Sequence, residues 1–126
     1  MTKVTASEDC GNSPKNIFLQ NINIALAKGD TQFLLGSVTD DIGWNIVGQK
    51  VFQGKESFGK ALEEMNKDRV AEITIQHVSS HGKAGAVNGT TVLENGKKLA
   101  FCHVFEFSNT KGSSVRQITS YVITVG

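Results

Sequence analysis

From Val70 onward, apolar and polar residues alternate with a period of two, the mark of half-buried strands. Four strands are predicted: "VAEITIQHVSSH" (70–81), "KAGAVNGTTVL" (83–93), "KKLAFCHVFEFS" (97–108) and "SVRQITSYVITV" (114–125). "ENG" at 94–96 and "NTKGS" at 109–113 carry the turn chemistry that folds neighbouring strands into hairpins. Earlier in the chain the period lengthens. Ser13-Pro14 predicts a helix start, because serine caps and proline suits the first helical position. Phe18, Ile22, Ala25 and Leu26 then form one apolar face, and Gly29 is placed to end the helix in a left-handed cap. "DTQFLLGSV" predicts a short second helix capped by Asp30, with Phe33 and Leu34 turned inward. In "DDIGWNIVG", Ile42, Trp44 and Ile46 alternate with Gly43, Asn45 and Val47, which predicts a strand. "GKESFGKALEEM" predicts a third helix with Phe58, Leu62 and Met65 as its buried stripe. Residues 1–12 are polar and are expected to form a flexible tail, leaving a single domain over 13–126. Helices gathered before hairpin-linked strands imply an α+β fold, with the helices on one face of a mainly antiparallel sheet.

Composition narrows the classes of function. A chain of 126 residues with 39% hydrophobic and 20% charged residues can bury one ordinary core. The net charge is +1, and lysines and arginines are scattered among acids. No basic stripe is present to neutralise phosphates, and one tyrosine and one tryptophan are a poor platform for bases, so no nucleic-acid partner is expected. No apolar run has the length of a membrane span, and the polar N-terminus lacks a signal-peptide core. The protein is expected to be cytoplasmic, without a membrane partner, and its two cysteines, Cys10 and Cys102, are expected as free thiols.

Three stretches, in order, resemble the SnoaL-like branch of the nuclear-transport-factor-2-like (NTF2-like, cystatin-like α+β) superfamily. They are "ALAKGDTQFLLGSVTDDIGWNIVG", "FQGKESFGKAL" and "FCHVFEFSNTKGSSVRQITSYVI". Together they cover nearly the whole chain from residue 13. The resemblance implies a curved sheet wrapped around a long N-terminal helix, a cone with an internal apolar pocket. It also implies pairing of two copies through the outer sheet face. Isomerases, polyketide cyclases, dehydratases, hydrolases and pure binding modules share this fold, so the fold leaves the function open.

The candidate chemistry centres on His103, a titratable residue in the aromatic strip Phe101, Phe105 and Phe107. Read alone, it is a catalytic base, a metal ligand or a hydrogen-bonded core residue. The resemblance turns that face into the cone, with Ile118, Ser120 and Val122 of the last strand beside it and Trp44 and Ile46 approaching from the first. Asn88, among small neighbours, is a candidate second polar contact. When the ketosteroid-isomerase motifs are laid on the chain, the base position falls at Ile46, the tyrosine position at Ile22 and the acid-donor position at His103. Two of the three roles lack a titratable group, which disfavours that mechanism. SnoaL-type cyclases need an acid/base residue in the cavity, a role His103 is able to fill.

The other polar residues fit structural readings better. His77 and His81 are four strand residues apart, roughly 13 Å, too far to share one ion. Cys102 points away from His103, so no metal constellation remains. Asp40 and Asp41 lie at a helix-to-strand connection where acids cap and stay wet. Lys55 and Glu56 belong to a solvated helix face. The expected function is therefore a binding module for a small hydrophobic molecule, without cofactor or metal. The alternative is a SnoaL-like enzyme of the isomerase, cyclase or dehydratase type, using His103 for acid/base chemistry on a hydrophobic carbonyl compound. A carboxylate in the pocket, such as Asp40 or Glu72, would favour the enzyme. A homodimer is expected through the apolar outer face of Cys102, Val104, Thr119, Tyr121 and Ile123.

Overall fold

A computed structural model describes residues 2–7 and 13–125. Helix α1 (Pro14–Lys28) begins as its sequence predicts: the Ser13 hydroxyl accepts from the Asn16 amide at 3.1 Å, and Pro14 opens the first turn. It ends at Gly29, whose φ of 74° is the left-handed conformation that a side chain would resist. Leu19, Ile22, Asn23 and Ala25 are its buried residues, while Phe18 and Leu26 flank them half-buried. Helix α2 (Thr31–Gly36) is capped by the Asp30 carboxylate, which accepts from the Phe33 amide. Only Leu34 of the expected inward pair is buried. Phe33 points to solvent, because a helix of six residues presents a single residue squarely to the core.

Strand β2 (Val38–Ile46) is followed by a short strand β3 (Lys50–Gln53), which pairs antiparallel with it. Helix α3 (Lys55–Met65) buries Phe58, Ala61 and Leu62. Met65, expected in that stripe, is its last residue and is exposed. Four long strands follow: β4 (Val70–His81), β5 (Ala84–Leu93), β6 (Lys98–Phe107) and β7 (Val115–Thr124), as the alternation predicts.

The N-terminal segment departs from expectation. Lys3–Ala6, read as part of a flexible tail, forms strand β1, paired in parallel with β4 from Lys3↔Glu72 to Ala6↔Ile75. The hydroxyls of Thr2 and Ser7 fasten its ends to the carbonyls of Val70 and Gln76. Nothing local signals this strand, since its hydrogen-bond partners lie almost seventy residues away. Cys10 lies outside the described residues. Cys102 is a free thiol in β6.

The seven strands form one curved, open sheet in the order β1-β4-β5-β6-β7-β2-β3. It is antiparallel except where β1 meets β4 and β2 meets β7. Helix α1 packs on β4 and β5, α3 packs on β2 and β3, and α2 bridges the two helices. The core between them holds Leu19, Ile22, Trp44, Phe58, Ile75, Phe105 and Ile118. Trp44 meets Phe58 edge-on at 5.5 Å, a favoured geometry for rings of this quadrupole.

Candidate functional site

The parallel pairing of β2 with β7 sets Trp44 beside Ile118 and Ile46 beside Ser120. The antiparallel pairing of β6 with β7 sets His103 opposite Ser120. Three strands thus deliver three polar side chains to one spot on the inner face. The Trp44 indole Nε1 donates to the Ser120 Oγ at 2.8 Å, and the His103 Nδ1 lies 2.7 Å from the same oxygen. Trp44 and Ser120 are buried. The imidazole stacks on Phe101 at 4.9 Å and meets Phe105 edge-on at 6.2 Å. Surrounding protein strips water from the ring and pushes its pKa down to about 4, with no charged neighbour to offset the loss. His103 is therefore neutral at physiological pH.

One edge of the ring borders a cavity of about 130 Å³. Helix α1 supplies Asn23, Leu26 and Ala27, and Met65 closes the end of α3. The sheet supplies Trp44, Val70, Ile73, Thr91, Leu93, Leu99, Phe101, His103 and Val122. The lining is mainly apolar with a few polar groups, the usual character of a small-molecule site. The volume is near that of an engineered cavity known to take benzene in another protein. A larger cleft of about 530 Å³ adjoins it, sharing Ala27 and Val70 and walled by Lys28, Asn66, Arg69 and Glu94.

Among the expected site residues, Trp44, His103 and Val122 border the cavity. Ser120 sits behind them as the hydrogen-bond partner of two. Phe105 and Ile118 share the inward face but are sealed in the core, 1% exposed each, so they support the wall and touch no ligand space. Ile46 does not border the cavity; it lines a neighbouring groove with Phe52 and Ala61, and Met65 lies between the two. Asn88 is on the wrong face. Its neighbour Val87 stands opposite His103, so by the period of two Asn88 turns outward, opposite Cys102, and hydrogen-bonds His77 Nδ1 at 2.9 Å.

Asn23 is a cavity residue that sequence reasoning missed. The signal was present: a polar residue at i+4 from Leu19 and between Ile22 and Ala25, on the buried face of α1. Its Nδ2 donates to the Leu19 carbonyl at 2.8 Å, which fixes the orientation of the amide. The Oδ1 has no hydrogen-bond partner among the described residues.

The remaining polar candidates stay on the surface. Asp40 pairs with Lys55 at 3.5 Å, and Asp41 accepts from the Thr39 hydroxyl at 2.7 Å. Neither these acids nor Glu72 borders the cavity. Among the described residues, no group of three or more His, Cys, Asp or Glu is placed to hold a metal ion. No helix among them is long and apolar enough to cross a membrane.

No protein-family model matches the sequence, and no curated protein matches it either. Solved structures do match. An NTF2-like protein of unknown function from Cytophaga hutchinsonii is 26% identical, over 85% of this chain and 97% of that one, with a TM-score of 0.63. An LEH-like epoxide hydrolase from M. tuberculosis is 23% identical over 83% of this chain and 79% of its own, with a TM-score of 0.68. A putative SnoaL-like polyketide cyclase from Shewanella denitrificans is 14% identical over 88% and 92%, with a TM-score of 0.73.

Proposed function

We propose that this chain, which belongs by its fold to the NTF2-like superfamily, is a binding protein for a small, largely apolar molecule. The observation that carries the reading is the cavity between α1 and the inner sheet face, apolar apart from a few polar groups that include a neutral histidine. Burying apolar ligand surface there supplies the affinity, at about 25 cal/mol per Å². Few polar groups then select among molecules of the right size.

A second reading is an acid/base enzyme acting through His103. It is favoured by the presence of one titratable ring at the cavity wall, and by cyclase and epoxide-hydrolase-like proteins among those that share the fold. Against it stands the lack of a second acid or base in the cavity lining.

A thermal-shift screen of hydrophobic carbonyl compounds tests the binding reading, with wild type beside His103→Ala. A ligand at ten times its Kd should raise Tm by roughly 4 °C, and the shift should shrink in the variant. Turnover of the same compound would promote the enzyme reading. Equal shifts in both proteins would remove His103 from the site.

The outer sheet face belongs to the same proposal. Val104, Tyr121 and Ile123 are exposed there. Cys102 pairs with Tyr121 and Val104 with Thr119 across β6 and β7, which makes a continuous apolar strip. A second copy of the chain is the partner that this strip suits, because exposed strips of this kind are uncommon on monomers. Tyr121→Glu should halve the mass seen by light scattering on a sizing column. An unchanged mass would sink the dimer or its assignment to this face.

A further inference from the structure

We infer that His103 faces the cavity as a fixed hydrogen-bond donor through its Nε2–H, so that the cavity selects a small apolar molecule carrying a carbonyl-type acceptor. The inference rests on the binding reading above and deepens it.

An indole N–H only donates. At 2.8 Å from Ser120 Oγ, the Trp44 Nε1 therefore uses one lone pair of that oxygen as its acceptor. Ser120 retains one O–H to donate. The acceptor within reach among the described residues is His103 Nδ1, at 2.7 Å. The second lone pair of Oγ could accept from an Nδ1–H, but the Ser120 O–H would then lack an acceptor; the arrangement that satisfies both groups points the Ser120 proton at Nδ1, which presents its lone pair. A neutral imidazole carries one N–H, so that hydrogen resides on Nε2. The neutral form is the one expected, because the half-buried ring is largely stripped of water and has no acid beside it to stabilise an imidazolium.

Nε2 has no hydrogen-bond partner among the described residues, although His103 borders the cavity. A donor left unpaired in an apolar wall costs free energy until an acceptor reaches it. A ligand oxygen with lone pairs satisfies it. Two other polar groups at this wall have no hydrogen-bond partner among the described residues: Asn23 Oδ1, which only accepts, and the Thr91 hydroxyl, a second donor whose contribution is the same with and without the His103 ring.

Two consequences follow for the residues behind the ring. Trp44 and Ser120 are positioning residues: they act through His103 by fixing its tautomer. The same tautomer also argues against His103 as a proton-abstracting base, because a base must turn a bare nitrogen toward the substrate. Its bare nitrogen is Nδ1, and Nδ1 is occupied by Ser120.

The test has two arms on the intact protein. Long-range ¹H–¹⁵N correlation spectra at pH 7 report the tautomer of His103 without any ligand. The expected result is the Nε2–H form, with the Nδ1 resonance moved in Ser120→Ala when its hydrogen bond is lost. An Nδ1–H tautomer or an imidazolium in wild type overturns the proposal. The second arm measures Kd for cyclohexanone and for methylenecyclohexane, which has the same shape without the acceptor. Both are titrated into wild type and into His103→Leu, which keeps an apolar side chain of similar reach.

Comparing the two ratios cancels the unequal cost of removing each probe from water. The ketone-to-alkene affinity ratio is expected to fall roughly fivefold in His103→Leu, the factor that one net hydrogen bond supplies. An unchanged ratio, with the Nε2–H tautomer present, overturns the selection of carbonyl ligands and leaves a structural histidine. Binding of neither probe to wild type overturns the pocket reading itself, and the tautomer spectra separate that failure from an error in the proton accounting.

Discussion

Gly89→Ala is expected to destabilise the protein by about 3 kcal/mol or more, the steepest loss of any alanine substitution among the glycines of the sheet. A Cβ built on Gly89 would sit on the carbonyl oxygen of Thr74 in the neighbouring strand. That oxygen is backbone and has no rotamer to move into. At Gly43 the nearest obstacle is the end of the Gln117 side chain, which is able to swing away, and at Gly85 it is the end of the core residue Leu19, which is a side chain and not backbone. The crowding at Gly89 arises from the register. Gly89 stands opposite Ile75, and the β4–β5 register shifts between Ile75 and His77. An irregularity of this kind bends a strand and tightens its twist. Relieving the clash would mean opening the sheet beside Ile73, which is a wall of the cavity. Urea unfolding of Gly89→Ala checks the size of the loss. Gly36→Ala is the control, since nothing lies within 4 Å of its Cβ and alanine favours its helix. A loss under 1 kcal/mol at Gly89 would show that β4 yields there, and that the irregularity does not hold the curve.

Lowering the pH from 6.5 to 4 is expected to cost roughly 3 kcal/mol of stability through His103 alone, at 1.36 kcal/mol per pH unit. Burial holds the folded-state pKa near 4, against 6.5 for the exposed ring. Between these values the unfolded chain takes up a proton that the folded chain does not. Stability from this group is complete above pH 6.5, declines as pH falls through the window, and levels off below 4. Its origin is the poor hydration of an imidazolium among Phe101, Phe105 and the cavity lining. Denaturant midpoints measured across this range for wild type and His103→Leu isolate the effect, since every other titrating group is common to both. The wild type should lose stability more steeply. Parallel curves would mean that His103 keeps an ordinary pKa, and that the ring is wetter than its surroundings suggest.

Much of the secondary structure is legible in short stretches of sequence, where its causes are local. Ser13, Pro14 and Gly29 bound α1 by capping chemistry that acts within one turn. The inward face of β6 follows from the period of two, because a pleated strand has no other way to place Phe101, Phe105 and Phe107. The two short strands were not legible. β1 and β3 each have four residues and are the edges of the sheet, so each has one pairing neighbour and little burial to mark it. Asn88 lies outside the expected pocket for a related reason. Its small neighbours suggest room for a ligand, yet alternation from Val87 sends its side chain to the outside.

The candidate site divides along the same line. His103 is conspicuous in sequence, as a titratable ring in an aromatic strip, and its inward direction follows from that strip. What the ring does was decided only by the tertiary structure. Ser120 and Trp44 stand 17 and 76 residues from their partners in the hydrogen-bonded chain, His103 and Ser120 respectively. Parallel pairing of β2 with β7 leaves no mark on either strand alone, because any extended segment offers the same backbone donors and acceptors. Only when the sheet closes over α1 do three strands set an indole, a hydroxyl and an imidazole within hydrogen-bonding distance. Local chemistry therefore determined the elements and the face that each one buries. Long-range register decided which buried polar groups meet, and with that the direction in which His103 holds its proton.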